Sequence, residues 1–164
     1  MTGLPAEVVV ASNRAAAGVY DDETGPIIVE ELTRLGFTVA APVVVPDGAP
    51  VADAVRAAVE RGARLVLTTG GTGLTPTDRT PEVTRALLDF EVPGIPEALR
   101  AYGVAHGVPT AMLSRGVAGV VGRCLVINLP GSRGGVRDAF AVLADVLGHA
   151  VEQVVGSDHV RSES

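Results

Sequence analysis

Apolar residues run along the chain in two rhythms. Glu7 to Ala11 (EVVVA), Arg64 to Thr69 and Arg123 to Leu129 (RCLVINL) are short, nearly unbroken apolar runs. Runs of this length suit strands covered on both faces of a parallel sheet. Between them, apolar side chains recur every three or four positions, the spacing of a helix with one buried face. Ile28, Leu32 and Leu35 trace a first helix that stops at Gly36; Val51, Ala54, Val55, Ala58 and Val59 trace a second over Val51 to Arg61. A third starts at Thr80, a suitable N-cap, with Pro81 at its first position and Val83, Leu87 and Phe90 on its apolar face. A fourth carries Ile95, Leu99 and Tyr102, and a last one runs from Val136 to about Val155. Phe37 to Val45 and Pro109 to Leu113 read as further strands. Pro42 places at least half of the former at an edge, and GVAGVVG after the latter reads as a connection.

Strands alternating with helices predict an α/β fold: a single-domain three-layer sandwich, with a mostly parallel central sheet and helices on both faces. The domain is expected over residues 1–155, with a flexible tail over 156–164. In such sheets ligands bind beyond the carboxyl ends of the strands. The segments expected there are Ser12-Asn13-Arg14, Pro46-Asp47, Gly70 to Asp78, Ser114-Arg115-Gly116 and Pro130 to Gly135. Each is rich in glycine, hydroxyl, aspartate or arginine, and their convergence on one edge predicts a site.

The richest of them is LTTGGTGLTPTDRTPEVT, Leu67 to Thr84. A strand there ends on Gly70, Gly71 and Gly73, and a helix starts shortly after. Bare backbone N–H groups beside a helix amino terminus attract anions. Asp78 in the same loop makes sense if a divalent cation stands between carboxylate and phosphate. Simpler readings stand beside these: Asp47 in Pro-Asp-Gly also suits a plain turn, Asp78 could pair with Arg79, and the glycines could serve only a tight turn.

Composition narrows the chemistry. The chain has 164 residues with a net charge of −6, which argues against general binding to nucleic acid or to an anionic membrane. All 13 basic residues are arginine, so no lysine serves a Walker-type loop, a Schiff base or a general base. Phosphate must be held by arginine, backbone N–H groups, hydroxyls or a metal. No apolar run approaches the roughly 18 residues of a membrane span. The amino-terminal MTGLPAEVVV lacks a basic region before its apolar run, which predicts no signal peptide. With a single cysteine, Cys124, these features predict a cytoplasmic protein. Pro76 stands where a dinucleotide fingerprint would want its third glycine, and no GxSxG elbow or Cys/His cluster is present. His106, His149 and His159 are scattered, Asp21 and Asp22 read as solvated loop charges, and Glu97 and Arg100 are weaker candidates for the site or an interface.

TTGGTG with its threonine-proline segment, aspartate and TPE resembles the signature of the molybdopterin-binding, molybdenum cofactor biosynthesis family. Further matches cover nearly the whole chain: Ser12-x-Arg14, then Gly18-x-Tyr20-x-Asp22-x-x-Gly25; Val45-Pro46-Asp47; PGIPEALR ending at Arg100; LSRG-x-AG from Leu113; and INLPGS ending at Ser132. Members of this size resemble stand-alone molybdopterin adenylyltransferases. The resemblance implies transfer of AMP from Mg-ATP to the terminal phosphate of molybdopterin, with release of pyrophosphate, in a homo-oligomer, most often a trimer. It implies catalytic and Mg²⁺-binding roles for Asp47 and Asp78. It implies ligand-binding roles for Ser12, Arg14, Gly70, Gly71, Thr72, Gly73, Ser114, Arg115, Gly116, Pro130, Gly131 and Ser132. Three positions depart from the family pattern: Thr77 where arginine is usual, with Arg79 after the aspartate instead; Asn13 for a common aspartate; and Arg133-Gly134 for a proline-containing segment. A molybdopterin carrier without chemistry is the alternative of a different class.

Overall fold

The computed structural model describes residues 3–156. Its centre is a seven-stranded sheet in the order β2-β1-β4-β7-β6-β5. The strands are β1 (Pro5–Ala11), β2 (Thr38–Val39), β3 (Val43–Val45), β4 (Leu65–Thr69), β5 (Phe90–Glu91), β6 (Ala118–Val121) and β7 (Cys124–Leu129). Pro42 splits the expected Phe37–Val45 strand into β2 and β3. Both halves pair in parallel with β1, β2 at its start and β3 at its end, so the break lies at the sheet edge as expected. β1, β4 and β7 pair in parallel; β6 and β5 are added antiparallel.

Side chains of the three central strands alternate between two cores, because successive residues of a strand face opposite sides. Val8 and Val10 of β1, Leu65 and Leu67 of β4, and Leu125, Ile127 and Leu129 of β7 enter one core. α2 (Thr24–Arg34) covers it with Ile28 and Leu32, while α6 (Arg133–Leu143) and α7 (Leu147–Val155) add Val136, Phe140, Leu143, Leu147 and Val151. Val9, Ala11, Val66, Cys124 and Val126 enter the other, under Val51, Val55 and Ala58 of α3 (Ala49–Glu60). This is the three-layer arrangement expected. α1 (Asn13–Ala16), α4 (Thr80–Arg85) and α5 (Gly94–Ala105) complete the helices.

Several expectations are corrected. Pro109–Leu113 is a short 3-10 helix, not a strand; the strand is β6, inside the segment read as a connection. A Cβ on its Gly119 would overlap the Phe90 carbonyl, so glycine is what lets β5 approach. The last helix is two: a turn over 144–146 separates α6 from α7, although the apolar period continues across it. α4 ends at Arg85, and Phe90 lies in β5 with 60% of its surface exposed, not on a helix face. Thr80 does not cap α4; its hydroxyl instead donates to Asp47 Oδ1. Asp22, read as a solvated charge, accepts the N–H groups of Thr24 and Gly25 at 3.1 Å and so caps α2. The expected tail lies beyond Gly156, outside the described residues, as does His159. Among the described residues no helix is long and apolar enough to cross a membrane.

Candidate functional site

The carboxyl ends of β3, β1, β4 and β7 share one edge, and their loops meet there. Gly70, at the end of β4, has φ +90° and fits tightly against its neighbours. A Cβ on it would overlap the Ala11 carbonyl of β1, and a Cβ on Gly131, after β7, would stand 3.1 Å from Gly70 Cα. Its N–H donates to Leu129 O at 3.2 Å. Three strand ends are thus drawn into a ridge of bare backbone.

Ser114 to Gly116 reach this edge by a different route from the one expected. They precede β6, and because β6 runs antiparallel to β7 its first residue, Ala118, pairs with Ile127 near the end of β7. Beneath the edge, buried Asn128 donates to the hydroxyls of Thr68 (2.9 Å) and Thr84 (3.1 Å) and accepts the Val117 N–H. One side chain thus ties β4, α4 and the approach to β6 together.

Two clefts flank the ridge. The first, about 540 Å³, is bordered by Thr72 and Gly73, Ser114 and Gly116, Pro130, Ser132 and the start of α6, with Leu99, Ala111 and Leu113 as its apolar wall. The second, about 790 Å³, lies between Ser12, Tyr20 to Thr24, Thr69, Gly70 and Gly131 to Arg133. Ser132 belongs to both. Its Oγ accepts the Gly135 N–H at 3.0 Å and caps α6. Each cleft has one arginine in its lining, Arg100 in the first and Arg133 in the second. Arg100 was only a weak candidate in sequence, and Arg133 only a departure from pattern. The absence of lysine is the signal that could have singled them out.

The remaining candidates, among them Asp47, Asp78 and Arg115, line neither cleft. Asp47 accepts the Gly48 N–H (2.6 Å) and Thr80 hydroxyl (2.9 Å) on Oδ1 and the Arg79 N–H (3.1 Å) on Oδ2. Its own N–H donates to Asn13 Oδ1 at 3.0 Å. Gly71 leaves room for this carboxylate, since a Cβ there would overlap it. Asp78 accepts the N–H (3.0 Å) and hydroxyl (2.7 Å) of Thr75 on Oδ2; among the described residues no protein donor is recorded for its Oδ1. Arg115 donates from Nε to Gly73 O and from Nη2 to Asp78 O, both at 2.9 Å, and pairs through Nη1 with Glu82. That hydrogen bond holds the Glu82 carboxyl below its ordinary range. Arg14 lies exposed on α1 and lines neither cleft.

A mostly parallel sheet with glycine-rich strand ends, two clefts at one edge and a capped helix start between them defines an α/β protein with the kind of open strand-end edge at which such sheets commonly hold ligands. The family model described as probable molybdopterin binding domain matches residues 7–149. The chain therefore belongs to this molybdopterin-binding family of molybdenum cofactor biosynthesis. It is 41% identical to a molybdenum cofactor biosynthesis bifunctional protein of Synechococcus elongatus, over 97% of this chain and 50% of that one. Like a second bifunctional relative, that protein is about twice as long as the stretch matched. It is 36% identical to the molybdopterin adenylyltransferase of Escherichia coli, covering 92% of this chain and 79% of that one. Among solved structures it superposes on MogA with a TM-score of 0.89 at 56% identity, covering 92% and 99% of the two chains. The Mog protein of Mycobacterium ulcerans gives 0.88 at 53%, covering 93% and 99%.

Proposed function

We propose that the protein is a molybdopterin adenylyltransferase. A terminal phosphate oxygen of molybdopterin attacks the α-phosphorus of ATP. A new P–O–P link forms, the bond to the β-phosphate breaks, and pyrophosphate leaves. The observation that carries this reading is the pair of clefts meeting at the Gly70–Gly131 ridge with Ser132 common to both. Two phosphorylated molecules lying one in each cleft would meet end to end over this ridge, beside the start of α6. Alignment and neutralisation of two polyanions form most of the barrier to such a transfer. Arg100 brings a positive charge to the first cleft; in the second, Arg133 pairs with Glu23 beside Asp21 and Asp22, so neutralisation there falls to a cation brought in with the ligand. The name of the Escherichia coli relative supports the same reaction.

Mg²⁺ brought in with ATP fits the donors present. It takes one or two carboxylates and fills its shell with water and phosphate oxygens. Among the described residues no group of three or more His, Cys, Asp or Glu could hold a metal unaided. Asp78, with Oδ1 open, and Asp47, braced beside it, would hold the cation, which supplies charge neutralisation on the transferring phosphate. The proposal extends to a cytoplasmic homo-oligomer, most simply a trimer. Exposed Val104 and Met112, outside both clefts, support self-association.

Turnover with molybdopterin, ATP and Mg²⁺ tests the reaction. Pyrophosphate release above background is expected only when both substrates are present, with a product that carries AMP. Binding of molybdopterin without any Mg²⁺-dependent binding of ATP, measured by calorimetry, would leave a carrier instead.

A further inference from the structure

Arg115 sits in the segment matched to molybdopterin binding, yet its side chain is turned toward protein. All three guanidinium nitrogens are engaged: Nε with Gly73 O, Nη2 with Asp78 O, Nη1 with the Glu82 carboxylate. Its backbone N–H donates to Thr72 O at 2.8 Å. The four acceptors lie before, within and after the loop that carries Asp78. Arg115 does not line either cleft, whereas its neighbours Ser114 and Gly116 both line the first. From the opposite side, Arg100 Nη1 donates to the carbonyls of Ser114 and Gly116 at 3.3 Å.

We infer that Arg115 is a positioning residue, not a ligand-binding one: its guanidinium fastens the loop carrying Asp78 to the strand approach carrying Ser114, so that the two walls of the site keep one spacing. The planar fork of arginine can meet two carbonyls and a carboxylate at once; the single ammonium of lysine cannot. The base of the loop is tied by Thr80 N–H to Gly71 O and by Arg79 N–H to Asp47 Oδ2, and its middle depends on Arg115. Leu74 to Thr77 are exposed, and Asp78 is held from within only by bonds to Thr75. Without the fork, the loop would keep its sequence, its charge and the backbone bond from Arg115 N–H to Thr72 O, but lose the side-chain ties at Gly73, Asp78 and Glu82.

The inference rests on the adenylyl-transfer reading for its kinetic arm only; its second arm needs no substrate. Hydrogen exchange is compared between the wild-type chain and Arg115→Gln, following the hydrogen-bonded loop amides of Thr75, Asp78 and Arg79 with those of β1 and β7 as internal control. Exchange in the loop is expected to quicken about tenfold or more while the strand amides stay protected. Unchanged loop exchange overturns the inference. Should Arg115→Gln fail to fold, Arg115→Lys decides by the same comparison, since it keeps the charge and loses the fork. In turnover, Arg115→Lys is expected to lower kcat roughly tenfold to hundredfold, with KM for molybdopterin changed less than about threefold. A large rise in that KM with kcat unchanged would make Arg115 a direct ligand and overturn the inference. Absence of turnover in the wild-type chain would defeat the proposed function alone and leave the exchange result to decide Arg115.

Discussion

Asp47 accepts the backbone N–H of Arg79 at 3.1 Å across 32 positions of sequence. The carboxylate also holds the Thr80 hydroxyl and the Gly48 N–H, so it braces the start of α4 from outside the helix. Asp78 has no comparable duty, since both of its side-chain bonds go to Thr75 within the same turn. The two aspartates therefore answer differently to the same substitution. Asp47→Asn puts an amide N–H where one oxygen must accept, and is expected to cost about 1–2 kcal/mol of stability as well as activity. Asp78→Asn can keep its oxygen toward Thr75, so stability should change by less than about 0.5 kcal/mol while turnover falls roughly a hundredfold. Denaturant unfolding and pyrophosphate release, run on both variants, separate bracing from chemistry. A normal rate in Asp78→Asn would remove that residue from the mechanism.

Glycine substitutions divide the ridge from its rim. Gly70→Ala faces a positive φ and a clash with the Ala11 carbonyl, and is expected to cost about 3 kcal/mol or more. Gly134, in the first turn of α6, has open space where a Cβ would go, yet it borders the first cleft. Gly134→Ala should raise stability by about 0.5–1 kcal/mol through helix propensity and weaken molybdopterin binding. Unfolding midpoints and calorimetric titration read the two effects. Unchanged affinity in Gly134→Ala would exclude α6 from the binding surface.

Cys124 should be chemically silent while the chain is folded. Burial pushes its thiol up to about 12, far from any thiolate at neutral pH. The native protein is expected to resist alkylation at pH 8 and to react once unfolded. The sign of the linkage follows. The folded thiol keeps a proton that the unfolded one releases above its ordinary value near 9. The contribution is full below that value and is lost as pH rises toward 12. Unfolding of wild type and Cys124→Ala at pH 8 and pH 10 should show a steeper decline in the wild type. Rapid native alkylation would mean that the second core opens readily.

The layers were legible because burial on both faces of a parallel sheet demands unbroken apolar runs, and β1, β4 and β7 have them. β5 and β6 were not: β5 is an exposed two-residue edge strand held by pairing, and β6, although Ala118 and Val120 are buried, is four residues long with Gly119 inside it. The turn between α6 and α7 was hidden because the apolar period runs through it unbroken.

At the site, residue types were readable and their tasks were not. Glycine at 70, 71 and 73, aspartate at 47 and 78, and a chain without lysine limited by themselves which groups could meet a phosphate: backbone N–H, hydroxyl, arginine or a carboxylate-bound cation. Only the tertiary structure decided which arginines face the clefts and which are bound up in holding the loops. Arg100 and Arg133 line the clefts while also holding the Ser114 and Gly116 carbonyls and Glu23, whereas Arg115 lines neither and is turned onto carbonyls more than 35 residues away in sequence. A side chain's charge is written in the sequence, but its partner depends on which distant backbone groups folding leaves without a donor.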